Sequence, residues 1–112
     1  MYQRRIFGNH DVSVQFGGAS QPKQEKVMAK VLLVDDEEGL RMMIGRQLRR
    51  GGHEVTQAED GMAAIEALKQ DQFDIVVSDM KMPRLDGMGL LARAREIAPK
   101  IEFIILTGHG NL

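Results

Sequence analysis

The 112-residue chain has no cysteine, which excludes disulfides and thiolate chemistry. That absence permits a cytoplasmic location, which is the expected one. No apolar run approaches the roughly 20 residues that a membrane-spanning helix needs, and no apolar signal core follows the charged residues 1–5. Charge of one sign is not in excess. Fifteen Lys and Arg face 16 Asp and Glu, a net charge of −1, so neither nucleic acid nor an anionic membrane is an expected partner. No Walker loop and no Gly-x-Gly-x-x-Gly follows a strand, which disfavours nucleotide binding. His10, His53 and His109 show no metal-ligand spacing, which argues against zinc. His10 and His53 read as surface residues.

What is present fits one soluble domain, with 43% hydrophobic and 28% charged residues. Residues 1–29 differ from the rest and read as a disordered N-terminal extension. Within them, residues 17–26 (GGASQPKQEK) are a polar linker rich in turn formers. Val12, Val14 and Phe16 alternate with polar residues as in a short strand, with no evident partner. Met28 stands just before the first strong strand and is a second candidate start beside Met1.

From Lys30 onward, strands and helices alternate. Residues 30–34 read as a strand buried on both faces. Residues 38–50 read as a helix with Leu40, Met43, Ile44 and Leu48 inward. Its arginines, Arg41, Arg46, Arg49 and Arg50, are read as a solvated face. Gly51-Gly52 stops it. A strand over 53–58 follows, then a helix over 61–70 capped by Asp60, with Ala64, Ala67 and Leu68 inward. A third strand covers 73–78. A third helix covers 88–97, with Leu90, Leu91, Ala94 and Ile97 inward. A fourth strand covers 101–106. Met42, Met43, Met62 and Met88 read as core filler. This alternation predicts an α/β fold with a parallel sheet and helices on both faces.

Three of these strands end in residues suited to Mg²⁺ and phosphate chemistry. Asp35 and Asp36 end the first, Asp79 the third and Thr107 the fourth. In open parallel sheets, sites form at the carboxyl ends of strands. Asp36 alone can be a helix cap, Asp79 a solvated loop residue and Thr107 a β-branched strand end. The acidic constellation argues against the simple readings of the aspartates, whereas Thr107 alone is a weak signal. Two like charges about 4 Å apart repel by roughly 4 kcal/mol at an effective dielectric of 20, and a bound cation relieves this. Mg²⁺ takes such oxygen ligands, and a shielded carboxylate can attack phosphorus. Glu37 and Glu38 should turn outward, favourable to the helix dipole.

The stretch from residue 30 resembles the receiver domain of two-component response regulators. Three motifs carry the resemblance: VLLVDDE at 31–37, DMKMPRLDG at 79–87 and IILTG at 104–108. It implies a flavodoxin-like doubly wound sheet. It also implies that Asp79 accepts the phosphoryl group and that Asp35, Asp36 and Asp79 bind Mg²⁺ together with the backbone carbonyl of Lys81. Thr107 would be the switch hydroxyl, and Pro83 and Gly87 would shape the loop after the third strand. The implied partner is a sensor histidine kinase or phosphotransfer protein, in phosphorelay signalling.

The sequence stops five residues after Thr107. Relative to the family, β1-α1-β2-α2-β3-α3-β4 is present and α4-β5-α5 is missing, so residues 30–112 read as a partial receiver domain. The lysine that normally ends the fifth strand is then absent, a charge-assisted contact worth about 1.5–3 kcal/mol. The fourth strand becomes a sheet edge, which predicts a dimer or a domain swap. A non-catalytic binding module, or an inactive fragment that binds a kinase or another receiver, is the alternative. A flavin-binding protein is the weakest option, because the first strand–helix loop is acidic.

Overall fold

A computed structural model describes residues 28–107, together with the backbone of Tyr2–Gln3 and Val14–Gln15. The strand pattern at 12–16 does find a partner: Val14–Gln15 pairs antiparallel with Tyr2–Gln3. The linker at 17–26, His10, Gly108 and His109 lie outside the described residues.

The order is β1 (Lys30–Val34), α1 (Glu38–Arg50), β2 (Glu54–Ala58), α2 (Gly61–Gln70), β3 (Ile75–Asp79), α3 (Gly87–Ile97) and β4 (Glu102–Leu106). The four strands form one parallel sheet in the order β2-β1-β3-β4. The arrangement is the doubly wound α/β sheet that the resemblance implies. β1 is central because it is apolar on both faces, and Val31, Leu32, Leu33 and Val34 are all fully buried. Burying each such side chain contributes about 1.5–3 kcal/mol.

The sheet separates two cores. On one side Leu32, Val34 and Val76 meet Ala64, Ile65 and Leu68 of α2 and Leu90 and Ala94 of α3. On the other, Val31, Leu33 and Val77 meet Leu48 of α1. α1 faces the sheet through Leu40, Ile44, Gly45 and Leu48. Met43, expected inward, is 48% exposed. The buried Gly45 lets the helix axis settle close to β2, which rolls residues 42 and 43 out to solvent. Met42, Met62 and Met88 are exposed too, so these methionines are not core filler. Ile97, in the last turn of α3, is also exposed rather than inward.

The helix ends follow local chemistry. Asp60 Oδ1 accepts from Ala63 N at 2.8 Å and caps α2. Asp86 Oδ1 accepts from Gly89 N at 2.8 Å and caps α3. After α1 the chain turns at Gly52, whose φ of 96° suits glycine. His53 is half-buried rather than a simple surface residue, and its Nδ1 accepts from Ala29 N at 3.2 Å. Among the described residues, no helix is long and apolar enough to cross a membrane.

Candidate functional site

The parallel register brings the expected acidic residues to one edge. Val34 pairs with Ser78, so Asp35 and Asp79 leave adjacent strands side by side. Asp79 pairs with Leu106, so Thr107 follows at the same edge from β4. Asp35, Asp36 and Asp79 each offer a carboxylate oxygen, and these oxygens lie within 4.8 Å of one another. Asp35 is 1% and Asp79 7% exposed, whereas Asp36 is open to solvent.

Asp36 does not cap α1. The cap position is Glu37, and no side chain bonds there. Instead Asp35 makes the local contact: its Oδ1 accepts from Glu37 N at 2.9 Å. That contact leaves Asp36 free at the pocket. Asp35 Oδ2 is buried without a hydrogen-bond partner. Burial pushes the Asp35 carboxyl above its ordinary range, the Glu37 amide opposes this, and the charges of Asp79, Asp36 and Glu37 reinforce it. A buried, unpaired carboxylate oxygen beside two more carboxylates is costly for the protein alone and suited to a hard cation. Glu37 and Glu38 are exposed, as their place in the first turn implies.

The loop after β3 is held from three sides. Met82 is buried in the α2/α3 core. Gly87 N donates to Met80 O at 2.9 Å, and Gly87 lies so close behind the strand that a Cβ there would sit 2.6 Å from Asp79 O. Arg84 adopts a left-handed φ of 66°, and its Nη2 donates to Asp60 Oδ2 at 3.1 Å. Lys81 and Thr107 are exposed.

Sequence reasoning missed Arg41. The residue read as part of a solvated face is half-buried and turned toward the site. Its Nη1 donates to the Asp35 carbonyl oxygen at 2.7 Å, and its Nε donates to Gln57 Oε1 at 3.1 Å. One signal was available: at i+3, i+4 and i+7 from Arg41 stand Ile44, Gly45 and Leu48, on the buried side of α1.

Comparison with known proteins agrees with this geometry. The profile of the response regulator receiver domain matches residues 31–112, and the chain belongs to that family. It is 35% identical over 83 residues to the sporulation initiation phosphotransferase F of Bacillus subtilis (strain 168), covering 74% of this chain and 67% of that protein. It is 39% identical over 84 residues to the transcriptional regulatory protein GlrR of Escherichia coli (strain K12), covering 75% of this chain but only 19% of GlrR. Among solved structures it is similar to the response regulator protein TrrA of Thermotoga maritima in complex with Mg²⁺–BeF. The TM-score is 0.68 at 28% identity, covering 72% of this chain and 70% of that one.

Proposed function

We propose that Asp79 accepts a phosphoryl group from a sensor histidine kinase or phosphotransfer protein, and that Asp35, Asp36, Asp79 and the main-chain carbonyl of Lys81 hold the Mg²⁺ this requires. The observation that carries the reading is Asp35 Oδ2, buried and unpartnered within a cluster of three carboxylates. The donor set fits: all are oxygens, as Mg²⁺ prefers, and exposed Asp36 leaves room for the waters it retains. The Mg²⁺–BeF complex of TrrA supports the same choice of ion. When bound, Mg²⁺ shields the negative charges of the carboxylate and the phosphoryl group from each other.

The protein's own residues supply the rest. An oxygen of Asp79 attacks phosphorus in line, the phosphorus–nitrogen bond of the donor phosphohistidine breaks, and its electron pair stays on the imidazole nitrogen, which takes a proton. Gly87 and the Met80 hydrogen bond hold the main chain of Asp79, so the nucleophile is placed before the donor arrives. The hydroxyl of Thr107, one residue past the partner of Asp79 in β4, binds a phosphoryl oxygen and carries the change outward. The domain works in the cytoplasm and makes no direct contact with nucleic acid. Residues 1–29 are an appended segment, and residues 30–112 carry the signalling function. Among the described residues β4 pairs only with β3, and its free edge favours a dimer or a swapped strand.

Incubation with acetyl phosphate and Mg²⁺, read by intact mass, tests this. Wild type should gain one base-labile phosphoryl group. Asp79→Asn should gain none, and Thr107→Ala should still label. Unchanged labelling of Asp79→Asn would remove Asp79 as the nucleophile.

A further inference from the structure

We propose that Arg41 is a positioning residue for the acidic site, fixing the main chain of Asp35 by geometry rather than by its charge. The proposal rests on the metal reading above. Asp35 is tied at every group but one. Its N–H donates to Ala58 O at 3.2 Å, its Oδ1 accepts from Glu37 N at 2.9 Å, and its carbonyl accepts from Arg41 Nη1 at 2.7 Å. Only Oδ2 is left without a partner, on a carboxylate that offers an oxygen within 4.8 Å of those of Asp36 and Asp79.

The guanidinium is itself held. Its Nε donates to Gln57 Oε1, and the Gln57 amide packs against the bare backbone of Gly45, where a Cβ would sit 3.2 Å from Nε2. One planar fork thus bonds the end of β1 and a side chain of β2 from α1. Lysine cannot reproduce this: its ammonium is a compact charge without a fixed fork. Arg41 bonds the carbonyl of Asp35, not its carboxylate. Charge and geometry therefore make opposite predictions. A cation beside an acidic pocket repels Mg²⁺, so its removal should tighten binding if charge dominates. If Arg41 positions Asp35, its removal should weaken binding, because partners behind a metal ligand commonly change affinity by about 10–100-fold.

The experiment uses the 112-residue chain as wild type, Arg41→Lys, Arg41→Ala and Gln57→Leu. Mg²⁺ affinity is read from amide shifts, thermal midpoints are recorded alongside, and the carbonyl ¹³C shift of Asp35 is measured without metal. Arg41→Lys and Arg41→Ala should each weaken Mg²⁺ about tenfold, Gln57→Leu less, and the metal-free Asp35 carbonyl should move in both Arg41 variants. Tighter binding by Arg41→Ala with unchanged binding by Arg41→Lys would overturn the proposal. So would a lower thermal midpoint with unaltered Mg²⁺ affinity, which marks a purely structural residue. If Arg41→Ala does not fold, Arg41→Lys and Gln57→Leu decide. If wild type binds no Mg²⁺, the metal reading fails separately. The metal-free carbonyl shift then decides the placement by Arg41: movement supports it and no movement overturns it.

Discussion

Replacing Gly87 with alanine tests how closely α3 backs the acidic strand end. A Cβ at this position would lie 2.6 Å from Asp79 O and 3.0 Å from Met80 Cα. Both are main-chain atoms, so no side-chain rotation makes room. Ordinary contact begins near 3.4 Å, and the strand end or the helix must therefore move by about 0.8 Å. Forcing a methyl into packed structure costs about 1–3 kcal/mol, and a rigid backbone neighbour places this site at the upper end. Alanine's better helix propensity returns less than about 1 kcal/mol. A net loss near 2 kcal/mol lowers the melting temperature of a domain this size by about 8–16 °C. Because the displaced atoms belong to Asp79 and Met80, Mg²⁺ binding should weaken as well. Gly39→Ala is the control. Gly39 has nothing within 4 Å of its Cβ position and lies exposed in α1, so the same chemical change there should leave stability equal or raise it by up to about 1 kcal/mol. Parallel thermal melts and Mg²⁺ titrations compare the two. A Gly87→Ala protein that melts with wild type and binds Mg²⁺ equally would refute the close-packing account.

Asp35 makes metal-free stability depend on pH. Its native carboxyl titrates above the ordinary 3.8, so its contribution is present below pH 3.8 and is lost as pH rises through the raised native value. Asp35→Asn should therefore be more stable than wild type at pH 7 without metal, with the gap closing toward pH 4. Urea unfolding across pH measures this, and equal pH slopes would contradict it. Asp60→Ala removes both the α2 cap and the Arg84 partner and should cost about 1–2 kcal/mol, whereas Asp60→Asn keeps a cap and should cost far less, since the Arg84 side chain is 66% exposed. Chemical denaturation of the two variants separates these effects. Ile105 is half-buried and, among the described residues, belongs to neither core cluster. Ile105→Lys should reduce concentration-dependent association in sedimentation at little cost in melting temperature, and unchanged association would show that β4 is not the contact.

The order of elements was legible because the buried strands are nearly pure apolar runs and the cap Asp60 carries its own chemistry. The acidic cluster was legible because a parallel sheet places all its strand ends at one edge. What could not be read was rotation about a helix axis. α1 carries Met42, Met43 and Ile44 in succession, and hydrophobicity alone does not say which of them faces inward. Gly45 and the pull of the Asp35 carbonyl on Arg41 settle it, and both are tertiary effects. For the same reason Arg41 passed as a surface charge. Asp35, not Asp36, makes the local hydrogen bond ahead of α1, because the buried carboxylate has the greater need of a donor.

Among the described residues the two sides of the sheet are unequal: eleven buried residues form the core under α2 and α3, and six form the core under α1. Leu48 is the only one of those six that α1 itself supplies. Opening free energies within one domain follow buried apolar area, so the layer with less of it detaches at lower cost. α1 should therefore be the first layer to lift, taking Arg41 and its bond to the Asp35 carbonyl with it. Amide exchange checks this: α1 should open at lower free energy than β1 and β3. The order of the acidic site then follows the residence of one helix on its sheet.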